Sequence, residues 1–474
     1  MMPDPLVSVV IPAYNQAAFV GDAISSVLGQ TYQNFEIMVV DDHSPDNTFE
    51  VVAQFRDSRV HLLRHEKNQR LPGARNTGIR ASRGEIIALL DADDIFHPEK
   101  LQRHVEFLLR NSQVGATYND RFELNYSSDT IRELYVAPYP VGLKECLLGF
   151  PFAPSDTVVR REWAFKIGLF DDKLTHWCED LDFNCRLALA GCRFGKVEGV
   201  LNRRRHHSRR YRKDLSETYE SATLVIERTL ADRRCPSEYS DLKNAALAHH
   251  CIVLMYHAFC QRRADEGQWF LRESVRLKPD ITHGHPNEVL SFLADYAVTD
   301  VSVDHEKLLL EIAEQMTTET RLSSSDVAWA VARGFLIKGV RAMIWGPTSQ
   351  GEEYLKRAEV LHAQLDQPFL RRVVRQLVGC AEEFGAKAAD EVLDRLVPHL
   401  QRIGGRANTR WLIGCYSVNR SFRLFSQRNY PASARLVLRA VRNDVSYARN
   451  RGVLSVLIRS VFRQHFTRGM TCQG

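Results

Sequence analysis

The chain has 474 residues, 44% hydrophobic and 26% charged, a composition that predicts two or three globular domains with ample core. Its net charge of +5 is too small to indicate a nucleic-acid partner. No apolar run reaches the roughly 18 residues of a membrane-spanning helix, and the first residues lack the pattern of a signal peptide. The ten cysteines are scattered without a CxxC pair, which favours a cytoplasmic protein with reduced thiols. Peripheral attachment to a membrane is the open alternative.

Four short apolar segments alternate with helical patterns in the first 90 residues. The segments 6–11, 35–40, 60–63 and 85–90 are rich in Val, Ile and Leu, as expected of strands buried on both faces. The stretches between them predict helices, the first over residues 17–30. This alternation is typical of a parallel sheet with right-handed crossovers, so we expect an α/β domain with a Rossmann-like, mostly parallel sheet.

Polar residues follow three of these strands at the point where each strand ends. They are residues 12–15, an acidic pair at 41–42, and three carboxylates within residues 91–94. Carboxylates this close repel one another, and a divalent cation relieves the repulsion. The structural alternative is a strand end followed by an acidic helix cap. Because ligands bind at the carboxyl ends of parallel strands, the convergence favours a metal-nucleotide site.

A second acidic cluster opens a predicted helix near residue 179. Glu179, Asp180 and Asp182 lie in its first turn. The helix dipole stabilises carboxylates at this position, which explains Glu179 and Asp180 without any function. A general base for a proton transfer is the functional interpretation of the same residues.

A basic run over residues 203–213 follows the last predicted strand, 197–201. Such a run is usually a solvated loop or linker. After the core of an anion-binding domain it is also a candidate cover for a diphosphate. One of its histidines, His206 or His207, is a candidate metal ligand.

Strand signals end near residue 213, so we predict one domain over 1–213 and an α-helical domain over 214–474. Three segments of the second domain each read as a helix, a polar turn and a second helix: 258–277, 341–361 and 423–442. They are loosely similar to tetratricopeptide hairpins, which bury their faces by stacking. A generic helical domain is the alternative. Either form is a candidate surface for partner proteins or for self-association.

Four motifs in the first 210 residues occur in a characteristic order. They are VSVVIPAYN (7–15), AISSVLGQTYQNFEIMVVDDHSPDNT (23–48), GARNTGIRASRGEIIALLDADDIFHPEKL (73–101) and CEDLDF (178–183). Through them the N-terminal half resembles the family 2 glycosyltransferases, which are inverting enzymes with the GT-A fold. The resemblance implies transfer of a sugar from a nucleotide-diphosphate sugar, a UDP-sugar being favoured, to an acceptor hydroxyl. It implies Mn²⁺ or Mg²⁺ as the cofactor.

The resemblance also implies how the nucleotide would be held. Pro12, Tyr14 and Asn15 would contribute to the nucleotide-sugar site, with Tyr14 stacked on the base. Asp42 would accept a hydrogen bond from the base. Arg70 would lie near the base or the diphosphate, and Arg75 is a competing candidate for that place.

The remaining roles concern the metal and the acceptor. Asp91 and Asp93 form the DxD pair, with Asp91 toward the ribose or a water on the metal and Asp93 toward the metal and diphosphate. Asp94 is a substitute for either, and His206 is a further candidate ligand. Asp180 is the predicted general base. Glu179 is its catalytic neighbour, and with Asp182 it would orient the acceptor or the base.

Two departures from related proteins narrow the function. Processive polysaccharide synthases carry a QxxRW motif and membrane helices, whereas here residues 183–186 read FNCR. We therefore expect a non-processive transferase in glycan biosynthesis, with a glycan, lipid-linked or protein acceptor. Metal-dependent nucleotidyltransferases usually carry a Gly-rich basic loop after the first strand, whereas here that position reads PAYNQAAF. A non-catalytic scaffold with the same fold is the other alternative.

Overall fold

The computed structural model describes residues 4–126, 128–174, 178–206, 214–299, 303–316 and 322–469. The chain divides into two compact units. The first comprises Met1–Ile131 and Tyr135–Ser323, and the second comprises Arg132–Leu134 and Ser324–Gly474. The nine cysteines in the described ranges are free thiols. In these ranges no helix has the length and apolar character needed to cross a membrane.

Within the described residues, nine strands form one mixed sheet. They are β1 (Val7–Ala13), β2 (Phe35–Asp41), β3 (Val60–Arg64), β4 (Ile86–Leu89), β5 (Ile95–Phe96), β6 (Val114–Asn125), β7 (Ile131–Tyr135), β8 (Val158–Arg160) and β9 (Arg193–His206). Their order is β3-β2-β1-β4-β8-β6-β9-β5, and β7 pairs with β6. Strands β3, β2, β1 and β4 are mutually parallel, whereas β8 is antiparallel to both its neighbours. The predicted α/β fold with a parallel first half is confirmed, and the second half makes the sheet mixed.

Twelve helices of the first unit connect or follow these strands in the described ranges. They are α1 (Val20–Leu28), α2 (Thr48–Ala53), α3 (Arg70–Ala81), α4 (Lys100–Arg110), α5 (Leu143–Leu148), α6 (Arg161–Lys166), α7 (Glu179–Leu189), α8 (Leu215–Ala231), α9 (Leu242–Cys260), α10 (Ala264–Leu277), α11 (Glu288–Tyr296) and α12 (His305–Gln315). The described part of the second unit is helical apart from Arg132–Leu134 and the connecting turns. Its helices are α13 (Ser324–Trp345), α14 (Thr348–Val360), α15 (Gln367–Glu383), α16 (Ala386–Ser426), α17 (Tyr430–Asn443) and α18 (Arg451–Gly469).

Strands β1, β2 and β4 are buried on both faces, whereas β3 at the edge of the sheet is only partly buried. Val7, Val9 and Ile11 pack on one face with residues of α1 and α4. Val10, on the other face, packs with residues of α3 and α7. The sheet is therefore the middle of three layers, and its edge at the strands' carboxyl ends is left between the helices.

Helix α3 lies unusually close to the sheet because Gly78 has no side chain. A Cβ at this position would come within 2.5 Å of Val10 Cγ1 and 3.3 Å of Val40 Cγ2. On the same helix, the Asn76 amide exchanges two 2.9 Å hydrogen bonds with the backbone of Phe170. The Gly and Asn of the GARNTG motif therefore fix the height and rotation of α3 against its surroundings.

The three predicted helical hairpins are pairs of packed helices, α9–α10, α13–α14 and α16–α17. Helix α16 consists of two stretches joined at Gly405, whose φ of +78° interrupts the helical backbone. The similarity of the three helical hairpins to tetratricopeptide repeats remains a prediction. The loop predicted near 317–325 falls partly outside the described residues, and α13 begins at Ser324.

The predicted domain boundary at residue 213 marks the change to helices, since α8 begins at Leu215. The compact units are divided elsewhere, with 214–323 grouped with the first unit. Within the first unit, an ion pair joins Arg228 of α8 to Asp182 of α7. A 2.9 Å pair between Arg228 and Asp171 adds to it.

Candidate active site

The polar residues that follow β1, β2 and β4 lie along one edge of the sheet. Strand β1 is the central neighbour, with Ala13 opposite Asp41 of β2 and Val10 opposite Leu89 of β4. In parallel strands this register carries residues 12–15, 41–42 and 91–94 to the same edge. The sequence-predicted residues at the ends of three separate segments are thus neighbours in the fold.

Asp42 is a buried carboxylate held by groups from the next strand and helix. Its Oδ1 accepts a 2.7 Å hydrogen bond from the Gln69 backbone N–H and lies 2.7 Å from His65 Nδ1. The other nitrogen of His65 lies 2.9 Å from Thr77 Oγ1. These contacts use Oδ1 and fix the rotation of the carboxylate, so its second oxygen has a defined direction.

The loop after β1 is attached to the loop after β2. The Asn15 N–H donates to Ser44 Oγ over 3.1 Å, and Asn15 has a positive φ of +57°. Pro12 is buried in β1, whereas the Tyr14 side chain is 49% exposed. The exposed ring of Tyr14 is available for stacking on a planar group.

Arg70 begins α3 and is exposed, in contrast to Arg75 one turn later. Its backbone N–H donates to Asn68 Oδ1 over 3.1 Å, and the Asn68 amide donates to the Asp42 carbonyl over 3.2 Å. The loop that carries Arg70 is therefore tied to the Asp42 pocket. The two arginines that the sequence left as competing candidates occupy different environments.

Arg75 is buried and bridges two of the predicted motifs. Its Nη2 donates to Asp91 Oδ1 over 2.8 Å, and its Nη1 donates to Glu179 Oε1 over 2.9 Å. Its guanidinium carbon lies 5.2 Å from the centre of the Phe170 ring. Burial alone would lower the pKa of Arg75, but the charges of Asp91 and Glu179 outweigh it and raise the pKa. The DxD segment and the start of α7 are joined through this one cation.

The segment 91–94 is a tight turn supported from beneath. The Asp94 N–H donates to the Asp91 carbonyl over 3.0 Å, and the Asp91 N–H donates to Ser155 Oγ over 3.0 Å. Asp94 is buried, whereas Asp91 and Asp93 are partly exposed. Asp93 is therefore partly accessible to solvent in this turn, whereas Asp94 is not.

Arg205 contacts the turn 91–94 from strand β9. The prediction that the whole basic run is a solvated loop is therefore wrong for residues 203–206. Residues 203–206 belong to β9, not to a solvated loop, and Arg205 is only 1% exposed. Its backbone N–H donates to Asp94 Oδ1 over 3.2 Å, and its Nη1 donates to the Asp93 carbonyl over 3.1 Å. Its guanidinium also pairs with Asp129 at 2.7 Å and Asp22 at 2.8 Å. Residues 207–213 lie outside the described residues.

The carboxylates at the start of α7 divide into three environments. Glu179 is buried against Arg75, as described above. Asp180 is partly exposed, and its Oδ1 accepts from the Leu181 N–H over 2.9 Å. Asp182 is buried between Arg186 and Arg228. Of the three, Asp180 is the one that is not fully buried.

The carboxylates of this site suit a divalent metal that is held jointly by the protein and by substrate phosphates. No three His, Cys, Asp or Glu side chains are arranged to hold a metal among the residues that the structure describes. Mg²⁺ is usually held by one or two carboxylates together with substrate phosphates, and Asp93 at the strand edge suits that mode. Asp91 and Asp94 are the other carboxylates of the turn. His206 ends β9, and its side chain lies outside what the structure describes, as does His207.

Sequence reasoning did not find four residues that shape this site: His65, Gln69, Ser155 and Arg205. His65 follows β3 directly, so its place at the same edge was readable from the strand pattern. Gln69 acts through its backbone, and Ser155 contacts Asp91 across 64 positions, so neither has a local signal. Arg205 was hidden inside the basic run.

Comparison with known proteins identifies the first part of the chain. The sequence model described as Glycosyl transferase family 2 matches residues 8–164. A curated relative from Escherichia coli, UDP-Glc:alpha-D-GlcNAc-diphosphoundecaprenol beta-1,3-glucosyltransferase WfgD, is 40% identical over 168 residues, which are 35% of this chain and 65% of the relative. Putative teichuronic acid biosynthesis glycosyltransferase TuaG from Bacillus subtilis is 36% identical over 110 residues, 23% of this chain and 44% of the relative. The chain thus spans less than two thirds of either relative.

Among solved structures, TarS from S. aureus aligns with a TM-score of 0.43 and 16% identity, over 69% of this chain and 54% of TarS. The family match covers β1 to α6, the region that contributes Asp42, Arg75 and the DxD turn to the site. Residues 8–164 therefore carry a glycosyl transferase family 2 domain.

Proposed function

We propose that this protein is a metal-dependent, inverting glycosyltransferase that moves one sugar at a time from a nucleotide-diphosphate sugar to an acceptor hydroxyl. The observation that carries the proposal is the Arg75 bridge. It brings a carboxylate of the DxD turn and a carboxylate of α7 to one cation, at 2.8 and 2.9 Å. Donor-side and acceptor-side groups must be this close for a single-step transfer.

The donor nucleotide would lie along the ends of β1 and β2. The Tyr14 ring is free to stack on the base, and the oriented carboxylate of Asp42 would accept its imide N–H, as a uracil offers. Arg70, exposed at the start of α3, would approach the diphosphate. The curated relative from Escherichia coli is named for UDP-Glc, which supports a UDP-sugar as the donor.

Asp93 would hold Mn²⁺ or Mg²⁺ together with the diphosphate. When bound, the cation would neutralise the charge that collects on the leaving nucleotide as the glycosidic bond breaks. The role of the chain is to orient Asp93, which Arg205 does through the Asp93 carbonyl and the Asp94 carboxylate. Asp91 is tied to Arg75 and would contact the ribose side of the nucleotide.

Asp180 would be the general base. A sugar hydroxyl is a poor nucleophile until its proton is removed during attack. Attack on the face opposite the leaving nucleotide inverts the anomeric carbon and needs no covalent intermediate on the protein. Glu179, fixed by Arg75, would set the position of the first turn of α7 and hence of Asp180.

The acceptor is proposed to be lipid-linked, with glycan and protein acceptors as the alternatives. The Escherichia coli relative is named for a diphosphoundecaprenol acceptor, and TuaG is named for teichuronic acid biosynthesis. Both names support a place in the biosynthesis of a cell-surface glycan.

The test is turnover of nucleotide sugars with Mn²⁺ or Mg²⁺, scored as release of the nucleoside diphosphate. We expect the wild type to hydrolyse or transfer from a UDP-sugar and Asp93→Ala to bind the nucleotide weakly in the presence of metal. Glu106→Ala, on the exposed surface of α4, is the matched control. If the wild type neither binds nor turns over any nucleotide sugar in the panel, the scaffold alternative replaces the enzyme.

A further inference from the structure

The small net charge of the chain conceals a strong asymmetry. Residues 395–474 contain fifteen arginines, no lysine and one acidic residue, Asp444. Their net charge is +14, so the other 394 residues carry −9 within the chain total of +5. A segment of this length with one sign of charge indicates an anionic partner.

Most of these arginines are on the surface without a carboxylate partner. Four arginines of the segment pair with carboxylates: Arg402 with Glu359, Arg423 with Glu382, and Arg420 and Arg439 with Asp390. Eight others are exposed and form no ion pair with any described residue: Arg406, Arg410, Arg428, Arg435, Arg442, Arg449, Arg451 and Arg459. A protein that only needed solubility would intersperse the two signs of charge.

Exposed aliphatic side chains lie among these arginines. Leu438 is 47% exposed, Val445 72%, Ile458 53% and Val461 42%. On α17, Arg435, Leu438 and Arg442 follow one another at helical spacing, so they share a face opposite the buried Val437.

Helix α17, the turn Val445–Arg449 and α18 pack on one another around a small core of Val437, Val453 and Val456. The arginines and aliphatic side chains therefore project from one small folded element. We call these residues the cationic surface: Arg435, Leu438, Arg442, Val445, Arg449, Arg451, Ile458 and Arg459.

We propose that the cationic surface docks on an anionic phospholipid membrane. This docking does not depend on the proposed sugar transfer, since it involves none of the residues at the sheet edge. Guanidinium groups bind phosphate oxygens in pairs, and arginine stems cover apolar surface while the charge stays at the interface. The exposed Leu, Val and Ile side chains would enter the boundary between headgroups and acyl chains.

Two features favour a membrane over a nucleic acid or a soluble polyanion. The exposed apolar members of the cationic surface are aliphatic, whereas single strands are bound on aromatic stacking platforms. A soluble polyanion would also gain nothing from Leu438 or Val445. Charge and apolar area together are the requirements for lying on a membrane.

Flotation of the full-length protein with lipid vesicles tests the proposal. We expect binding to phosphatidylcholine vesicles that contain about 30% phosphatidylglycerol and little binding to pure phosphatidylcholine, since each arginine near an anionic surface strengthens binding about fivefold. Raising NaCl to about 0.5 M should weaken binding by tenfold or more, because the Debye length falls to a few ångströms.

Two variants that lose the same number of charges distinguish an effect of the cationic surface from an effect of the net charge. R435Q/R442Q/R449Q/R451Q should lower partition into the anionic vesicles by more than about tenfold, as four surface arginines are lost. R56Q/R80Q/R193Q/R233Q removes four exposed arginines of the first unit and should stay within about twofold of wild type. L438S/I458S should weaken the binding that survives at high salt.

Several outcomes would overturn the proposal. They are equal binding to both kinds of vesicle, no binding by the folded wild type, or an equal loss in the two arginine variants. Binding of polyphosphate or DNA without binding of vesicles would assign the surface to a polyanion instead. Circular dichroism of each variant checks folding, and the salt series on wild type needs no variant.

Discussion

Arg75 Nη1 donates a 2.9 Å hydrogen bond to Glu179 Oε1 across 104 positions of sequence. The same guanidinium holds Asp91, so the end of β4 and the first turn of α7 cannot move independently. Arg75 lies on α3, whose position is fixed by Gly78 against the sheet and Asn76 against Phe170. The GARNTG motif (73–78) therefore sets the distance between the acidic turn at 91–94 and the acidic start of α7.

Removing the cation should cost stability as well as activity. In Arg75→Met the buried Glu179 and the partly exposed Asp91 lose their common partner, and we expect the free energy of unfolding to fall by about 3 kcal/mol. Adding Glu179→Gln should recover part of that loss, since the second charge is gone. Thermal unfolding of both variants, with the exposed Arg80→Met on the same helix as the control, measures this. Equal stability of Arg75→Met and Arg80→Met would contradict the bridge.

Asp180 and Glu179 should behave differently when neutralised. Asp180→Asn should retain nucleotide affinity and lower the rate of transfer by about 10²- to 10⁴-fold, as expected on loss of a general base. Glu179→Gln keeps the base but weakens its support through Arg75, so its rate should fall less. Single-turnover kinetics and nucleotide binding by calorimetry distinguish the two. Loss of nucleotide binding in Asp180→Asn would remove it from the role of base.

His65 should matter for binding rather than for chemistry. Its contacts to Asp42 and Thr77 orient the carboxylate proposed to read the base. His65→Ala should raise the Kd for the nucleotide about tenfold, the value of one buried charged hydrogen bond, while the maximal rate is preserved. His61, on the preceding strand β3 and with a side chain that is 38% exposed, supplies the control His61→Ala. A lower maximal rate with unchanged Kd would argue against this role.

Arg205 is expected to support metal-dependent binding. Arg205→Met removes the Nη1 hydrogen bond to the Asp93 carbonyl but keeps the backbone N–H that donates to Asp94 Oδ1, and the Kd for UDP with Mn²⁺ should rise about tenfold. Its pairs with Asp22 and Asp129 involve half-exposed carboxylates and should contribute little to stability. Arg193→Met, at the exposed start of the same strand, is the control. If UDP affinity is the same in both variants, Arg205 does not position the turn.

Lys100 should give stability a distinctive pH dependence. Burial lowers its pKa from 10.5 to about 7, and its ammonium nitrogen lies 2.5 Å from Asn119 Oδ1. Between pH 7 and 10.5 the unfolded chain therefore binds a proton that the folded chain lacks. Stability should then rise with pH across this window by up to about 1.4 kcal/mol per pH unit relative to Lys100→Met, and stay level below pH 7.

Urea unfolding of wild type and Lys100→Met at several pH values isolates this contribution from other groups. The exposed Lys144→Met should follow the wild-type curve. Parallel curves for wild type and Lys100→Met between pH 7 and 10 would show that Lys100 stays charged in the folded protein.

The sequence alone determined the strand order along the chain and the identity of the acidic motifs. The mostly apolar segments 6–11, 35–40 and 85–90 are short and rich in Val, Ile and Leu, which favours buried strands over helices. The turn residues after them must then meet at one sheet edge, since the strands are parallel. That inference placed residues 12–15, 41–42 and 91–94 correctly without any coordinates.

Only the tertiary structure decided what each charged side chain touches. Arg75 and Arg205 look like any surface arginine in the sequence, yet both are 1% exposed because carboxylates from distant segments surround them. Their partners are separated by 16 to 183 positions, a distance over which sequence patterns carry no pairing information. Local periodicity reports which face of an element is buried. The choice of partner depends on packing, and so the pairing of Arg75 with Asp91 and Glu179 required the fold.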